Sequence, residues 1–207
     1  MISAGIVLSV ILVVVLIKRN SFKGRLIRIA LEEFSKWNLL SELSPKVSEH
    51  LVRYWQSVGL HFSPVDMQNP SMQDRYPWSS AFISYLFFKA GAGNRFPYGA
   101  AHNDYYEVAR NNRDNPNAPL RGLRIDEYAP KKGDLVVFSR EAGKGYDTRG
   151  FFKSHGELVL GAYNGYIITI GGNVSNGVKI SRFSTDHRGF LTKKERDFFM
   201  VIQNNIR

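Results

Sequence analysis

The 207-residue chain contains no cysteine. That excludes disulfides, thiolate metal sites and a thiol nucleophile together, and leaves the cellular compartment open. Histidine is scarce as well. His50, His61, His102, His155 and His187 lie far apart, and no His-Glu-x-x-His spacing occurs. No metal is therefore expected. No cofactor is expected either: Gly143-Lys144-Gly145 lacks the rest of a phosphate loop, and no βαβ alternation is present for a dinucleotide fold. Internal repeats and low-complexity tracts are missing. Acidic residues are the minority charge, 18 against 28 Lys and Arg, which gives a formal net charge of +10. Such a balance favours an anionic partner: nucleic acid, anionic lipid or a wall polymer. No zinc-finger, Walker or homeodomain pattern supports nucleic acid, so none is expected.

What is present begins with an uncharged apolar run from Ile2 to Ile17, ended by Lys18 and Arg19. At about 1.5 Å per residue it makes roughly 24 Å of helix, a little short of a hydrocarbon core. A signal peptide would need a basic leading region and a small-residue cleavage site, and neither is evident. Residues 1–19 read as an uncleaved single-pass transmembrane helix, with membrane lipid as its partner. Residues 20–45 read as a juxtamembrane helical segment and 46–207 as the domain. Lys18, Arg19, Lys23, Arg25 and Arg28 follow the run, so the positive-inside rule would place the domain in the cytoplasm.

Apolar residues at helical spacing predict a helix over about Lys23–Leu40 and, capped by Ser44, a second through about Gly59. Residues 61–75 are polar and read as loop. A strongly apolar helix follows from Pro77 or Trp78 to about Ala90, then a shorter one over about Asn103–Asn112. Residues 111–132 read as a long irregular connection. From Asp134 the period changes to that of strands, at 135–138, 157–162, 166–170, 177–183 and 198–203. Asn164-Gly165 is a hairpin turn between the second and third. Helices first and a strand meander afterwards make an α+β domain, with helices packed on an antiparallel sheet.

Three positions attract a chemical interpretation. Ser79 stands near the start of the apolar helix, where free amides and the helix dipole stabilise developing negative charge. Taken alone, Ser79 or Ser80 reads as a helix cap. His155 precedes a strand and faces its neighbour Glu157 by the period of two, so Glu157 can orient the imidazole or face solvent. Asn173, after the strand ending at Ile170, is either an orienting residue or an ordinary Gly-Asn turn. His102, Tyr76 and Trp78 lie close enough in sequence to the helix start to line a cleft, though capping and packing explain them equally well.

The order of these segments is more specific than any of them alone. Trp78-Ser79-Ser80-Ala81-Phe82, then Pro130-Lys131-Lys132-Gly133-Asp134, then His155 at a strand, then Gly171-Gly172-Asn173 resembles the papain-like CHAP and NlpC-type superfamily of amidases and peptidases. The resemblance covers about Leu51 to Asn204. It implies a membrane-anchored hydrolase of peptidoglycan amide bonds with Ser79 as nucleophile, His155 as base and Asn173 as orienting residue. Trp78, Ser80, His102, Glu157 and Tyr76 would contact a wall peptide. It also implies an extracytoplasmic domain, against the charge rule above. Two departures stand out: Ser79 replaces the family's cysteine, and Gly171 its glutamate. A hydroxyl is a far weaker nucleophile than a thiol. The alternative is a catalytically inactive CHAP-like module that binds a wall peptide or partner protein.

Overall fold

A computed structural model describes residues 21–207. The expected anchor at 1–19 lies outside them. Among the described residues no helix is long and apolar enough to cross a membrane.

The first helix, α1 (Phe22–Trp37), starts where Ser21 Oγ accepts the Gly24 amide and stops at left-handed Asn38. It buries Phe22, Leu26, Ile27, Ala30 and Trp37 in the same apolar cluster as the later helices. Residues on either side of position 45 thus share one core. Ser44 caps α2 (Pro45–Gln56), which buries Val47, Leu51, Tyr54 and Trp55. Within the stretch expected as loop, Asn69 caps a short helix, α3 (Pro70–Arg75), with proline in its first turn. The central helix α4 (Ser79–Ala90) is buried on nearly every side and ends at Gly91 with φ 83°. Helix α5 (His102–Asn111) completes the layer.

Six strands form one antiparallel sheet: β1 (Leu120–Leu123), β2 (Leu135–Ser139), β3 (Ser154–Tyr163), β4 (Tyr166–Gly171), β5 (Lys179–Ser184) and β6 (Asp197–Asn204). Their spatial order is β1-β6-β2-β3-β4-β5. Strand β1 falls inside the connection expected to be irregular. It is four residues long, and its partner β6 lies some eighty residues further on, so nothing local announces it. Gly165, at φ 84°, turns β3 into β4 as the Asn-Gly pair predicts.

The sheet has two unlike faces. Leu135, Val137, Leu158, Ile170, Met200 and Ile202 meet the helices. Val136, Phe138, Val159, Ile167, Phe183 and Phe198 form a smaller cluster on the reverse, closed by Leu191. The α+β class and the helices on an antiparallel sheet match the sequence expectation. Asp134 joins the layers: it accepts Lys23 Nζ at 3.0 Å, the Asn204 amide at 3.1 Å and the Lys131 amide at 2.9 Å.

Candidate functional site

The start of α4 is fixed from three directions. Trp78, the residue before the helix, is fully buried. Its indole stacks on Trp37 with centroids 4.8 Å apart and donates to Glu42 Oε2 at 2.7 Å. Gly172 lies so close that a Cβ there would sit 2.5 Å from Phe82 Cβ. Ser80 Oγ donates to the Gly99 carbonyl at 2.9 Å, and Ser84 Oγ donates to the same oxygen and accepts the Gly99 amide, both at 3.2 Å. Neither Ser79 nor Ser80 therefore serves as a helix cap. The two lower serines strap the Gly99–Ala101 turn onto α4. That strap delivers His102, the first residue of α5, to the helix start.

Ser79 Oγ lies 2.7 Å from His102 Nε2. On the other side of the ring, His102 Nδ1 makes a very short hydrogen bond with the Tyr105 hydroxyl. Three residues apart on one helix, His102 and Tyr105 share a face. With the ring proton on Nδ1, directed at Tyr105, the Nε2 lone pair is free to accept the serine proton. Burial, and then the charge of Arg140, push His102 down to about 3, so the imidazole is neutral at ordinary pH. Burial first, and then the neighbouring Tyr106 and Asp104, push the Tyr105 hydroxyl well above its usual range, so it stays a neutral phenol. Gly156 makes the bond possible: a Cβ there would lie 2.1 Å from Tyr105 Oη and 3.1 Å from His102 Nδ1.

The residue expected as the base stands elsewhere. Register pairs Phe138 with His155 and Val136 with Glu157, which puts both on the reverse face of the sheet, while Gly156 points at the helices. His155 makes no hydrogen bond to Ser79. Its Nδ1 lies 3.2 Å from Arg140 Nη2, and its Nε2 lies 3.6 Å from Glu157 Oε1. A guanidinium can only donate, so Nδ1 accepts and the ring proton is on Nε2. The lone pair a base would use is already engaged. The ring nevertheless stands 5.3 Å from that of His102, centroid to centroid. Burial first, then the neighbouring His102 ring and the charges of Arg140 and Arg196, keep His155 neutral.

Asn173 is left-handed, φ 56°, in a turn where Ser175 and Asn176 are also left-handed. Its side chain bonds to neither histidine. The same turn accepts the Glu42 amide through the Asn176 carbonyl at 2.9 Å. Tyr76 packs against Phe62 and Trp55 rather than beside Ser79. Of the expected site residues, the structure brings together Ser79 and His102, with Ser80 and Trp78 as their supports. It sets His155 and Glu157 behind them and leaves Asn173 and Tyr76 apart. Tyr105 and Gly156 were not singled out from the sequence; the signal for Tyr105 was its i+3 spacing from a histidine.

Access to Ser79 is narrow, at 7% exposure. The first amide bonded within α4 is that of Phe82, to the Trp78 carbonyl at 2.9 Å. The amides of Ser79, Ser80 and Ala81 precede the ladder. Two open clefts lie away from this point. One of about 590 Å³ runs between the start of α1 and the Asn204–Arg207 segment, and one of about 720 Å³ is bounded by Lys144, Tyr146 and Phe198. Among the described residues no three His, Asp or Glu side chains gather as a metal site would require.

A family model described as "Uncharacterized protein conserved in bacteria (DUF2272)" matches residues 46–202, and the chain belongs to that family. No curated protein and no solved structure matches it.

Proposed function

We propose that this DUF2272 chain is a serine hydrolase of papain-like, CHAP/NlpC-type build that cleaves amide bonds in peptidoglycan peptides from a membrane-anchored position outside the cytoplasm. The observation that carries the reading is the 2.7 Å contact between Ser79 Oγ and His102 Nε2 at the first turn of a buried helix. The order of the Trp-Ser, Gly-Asp, His and Gly-Gly-Asn segments supports the substrate class. The base in this reading is His102, supplied by a helix, in place of the strand-borne His155.

Ser79 Oγ attacks the scissile carbonyl carbon as its proton passes to His102 Nε2. The carbonyl oxygen becomes an oxyanion at the open end of α4, where the amides before Phe82 and the helix dipole stabilise it. The C–N bond then breaks, His102 returns the proton to the leaving amine, and water releases the acyl group from Ser79 by the reverse sequence. Because His102 is neutral down to about pH 3, it needs no deprotonation step at neutral pH. Its imidazolium is short-lived, since a phenol and not a carboxylate faces Nδ1.

Purified chain incubated with peptidoglycan should release new amino termini, and Ser79→Ala should reduce that release at least ~1000-fold. Equal release by the two proteins would sink the reading. One observation favours a second reading, a silent module that binds a wall peptide: no carboxylate stabilises His102 in its charged form. That module would retain peptidoglycan binding in both proteins and release nothing from either.

A further inference from the structure

The reverse face of the sheet holds a buried ionisable group with no part in the chemistry above. Glu157 is 1% exposed, and its Oε2 accepts the Thr169 hydroxyl at 2.5 Å. Ser181, next along the sheet on β5, lies near enough to lower the carboxyl as well. The remaining oxygen, Oε1, faces the Nε2–H of His155 at 3.6 Å. That Nε2 is buried without a hydrogen-bond partner. Room for the carboxylate exists because position 171 is glycine: a Cβ there would lie 2.9 Å from Glu157 Cγ. From its other nitrogen His155 reaches Arg140, and across the strand its ring stands 5.3 Å from that of His102.

We propose that Glu157 is a positioning residue for the Ser79–His102 pair, acting through His155 and Arg140 from the opposite face of the sheet. This rests on the hydrolase reading for its functional consequence but not for its existence. The charged groups facing the relay are Arg140 just after β2 and Arg196 before β6. His102 on α5 is titratable but neutral. Strand β4 contributes the Thr169 hydroxyl, and β5 places Lys179, paired with Gly171, on the same face as Ser181. The aromatic ring packed on His155 is uncharged Phe138.

When Glu157 is ionised, its charge opposes that of Arg140 at the far side of His155. The transient imidazolium of His102 is then easier to form. When Glu157 is protonated, Arg140 acts on His102 unopposed, and Ser79 gives up its proton less readily. Burial raises the Glu157 carboxyl, and the Thr169 and Ser181 hydroxyls, then Arg196 and Arg140, pull it part of the way back, to about 7. The two states therefore exchange around neutral pH. Throughout, Arg140 keeps the His155 proton on Nε2, so the strand histidine stays neutral and it is the field of Glu157, acting across the oriented His155 dipole, that reaches His102.

The test is nitrogen NMR of the full chain in detergent with ¹⁵N-labelled histidine, followed from pH 5.5 to 8.5. His155 should appear as the neutral Nε2–H tautomer at every pH. The ring signals of His155 and His102 should shift together with one midpoint near neutrality, although neither ring gains a proton. Glu157→Gln should remove the midpoint, and Arg140→Gln should release the tautomer. An Nδ1–H tautomer for His155, flat signals in the wild type, or an unchanged midpoint in Glu157→Gln each overturns the proposal. Should Glu157→Gln not fold, the wild-type tautomer and midpoint still decide. Where turnover is measurable, wild-type rate should fall about tenfold between pH 8 and pH 6, and Glu157→Gln should flatten that fall. A midpoint that persists in a protein without turnover upholds the relay and defeats the hydrolase reading alone.

Discussion

Glu33, in the helical layer, and Glu157, behind the sheet, are each 1% exposed, yet they are displaced in opposite directions. Burial alone would raise both. Around Glu33 it is outweighed by His50, Lys36 at 2.7 Å and the Tyr54 hydroxyl at 2.6 Å, and the carboxyl is held at about 2. Around Glu157 the direct donor is the neutral Thr169 hydroxyl and the cations stand off, so burial wins and the carboxyl rises to about 7. Equal burial therefore says little about ionisation. What decides is whether a charged donor reaches the carboxylate. The helical layer uses its glutamate as a fixed anion under Trp37 and Tyr54, while the reverse face keeps one that changes state.

The two contribute to stability with opposite signs. Glu33 lies below its ordinary 4.5, so its stabilisation is present above that pH and is lost as pH falls towards 2. Glu157 lies above 4.5, so the folded state takes up its proton more readily, and stability declines as pH rises from 4.5 and levels off above about 7.

The comparison can be broken at several points. Glu33→Gln keeps one acceptor oxygen but loses the other and the charge facing Lys36, and should cost about 2–3 kcal/mol at pH 7 by urea unfolding; a loss under about 1 kcal/mol would mean the anion is not held as described. Glu157→Gln should do the reverse, raising stability at pH 8 by up to about 3 kcal/mol and flattening its pH dependence between 4.5 and 7. If this variant is instead destabilised at pH 8, the carboxylate has a partner of the Glu33 kind. Between the two faces, Gly156→Ala pushes a methyl into the Tyr105–His102 bond and should cost about 2 kcal/mol of stability together with the site's geometry. A well-ordered Ser79–His102 contact in that variant would show that glycine is not needed. The smallest effect belongs to the exposed Arg28–Glu32 pair, 2.7 Å apart on α1. Arg28→Ala should change stability by less than about 0.5 kcal/mol, which separates ion pairing at the surface from the buried case.

Much of the architecture was legible in the sequence because it depends on local pattern: the apolar run of α4, the cap at Ser44, the Asn-Gly turn between β3 and β4. Strand β1 was not, because a four-residue edge strand is specified by its distant partner. Helix α3 was hidden by polar composition, although Asn69 and Pro70 are a start signal. At the site, the error turned on where one strand begins. Read as starting at 157, β3 leaves His155 in a connection whose side chain can turn towards Ser79. Starting at Ser154, it fixes His155 on the reverse face by alternation and hands the near side to Gly156. His102 reaches Ser79 through the bonds of Ser80 and Ser84 to Gly99, tertiary contacts that no periodicity encodes.

The bonds of Asp134 have a mechanical consequence. Its carboxylate grips Lys23 in the first turn of α1 and the Asn204 amide at the end of β6, beside the turn before β2. A pull on the chain at Ser21 therefore reaches the sheet within one helical turn, through this ion pair as well as through the apolar packing of α1.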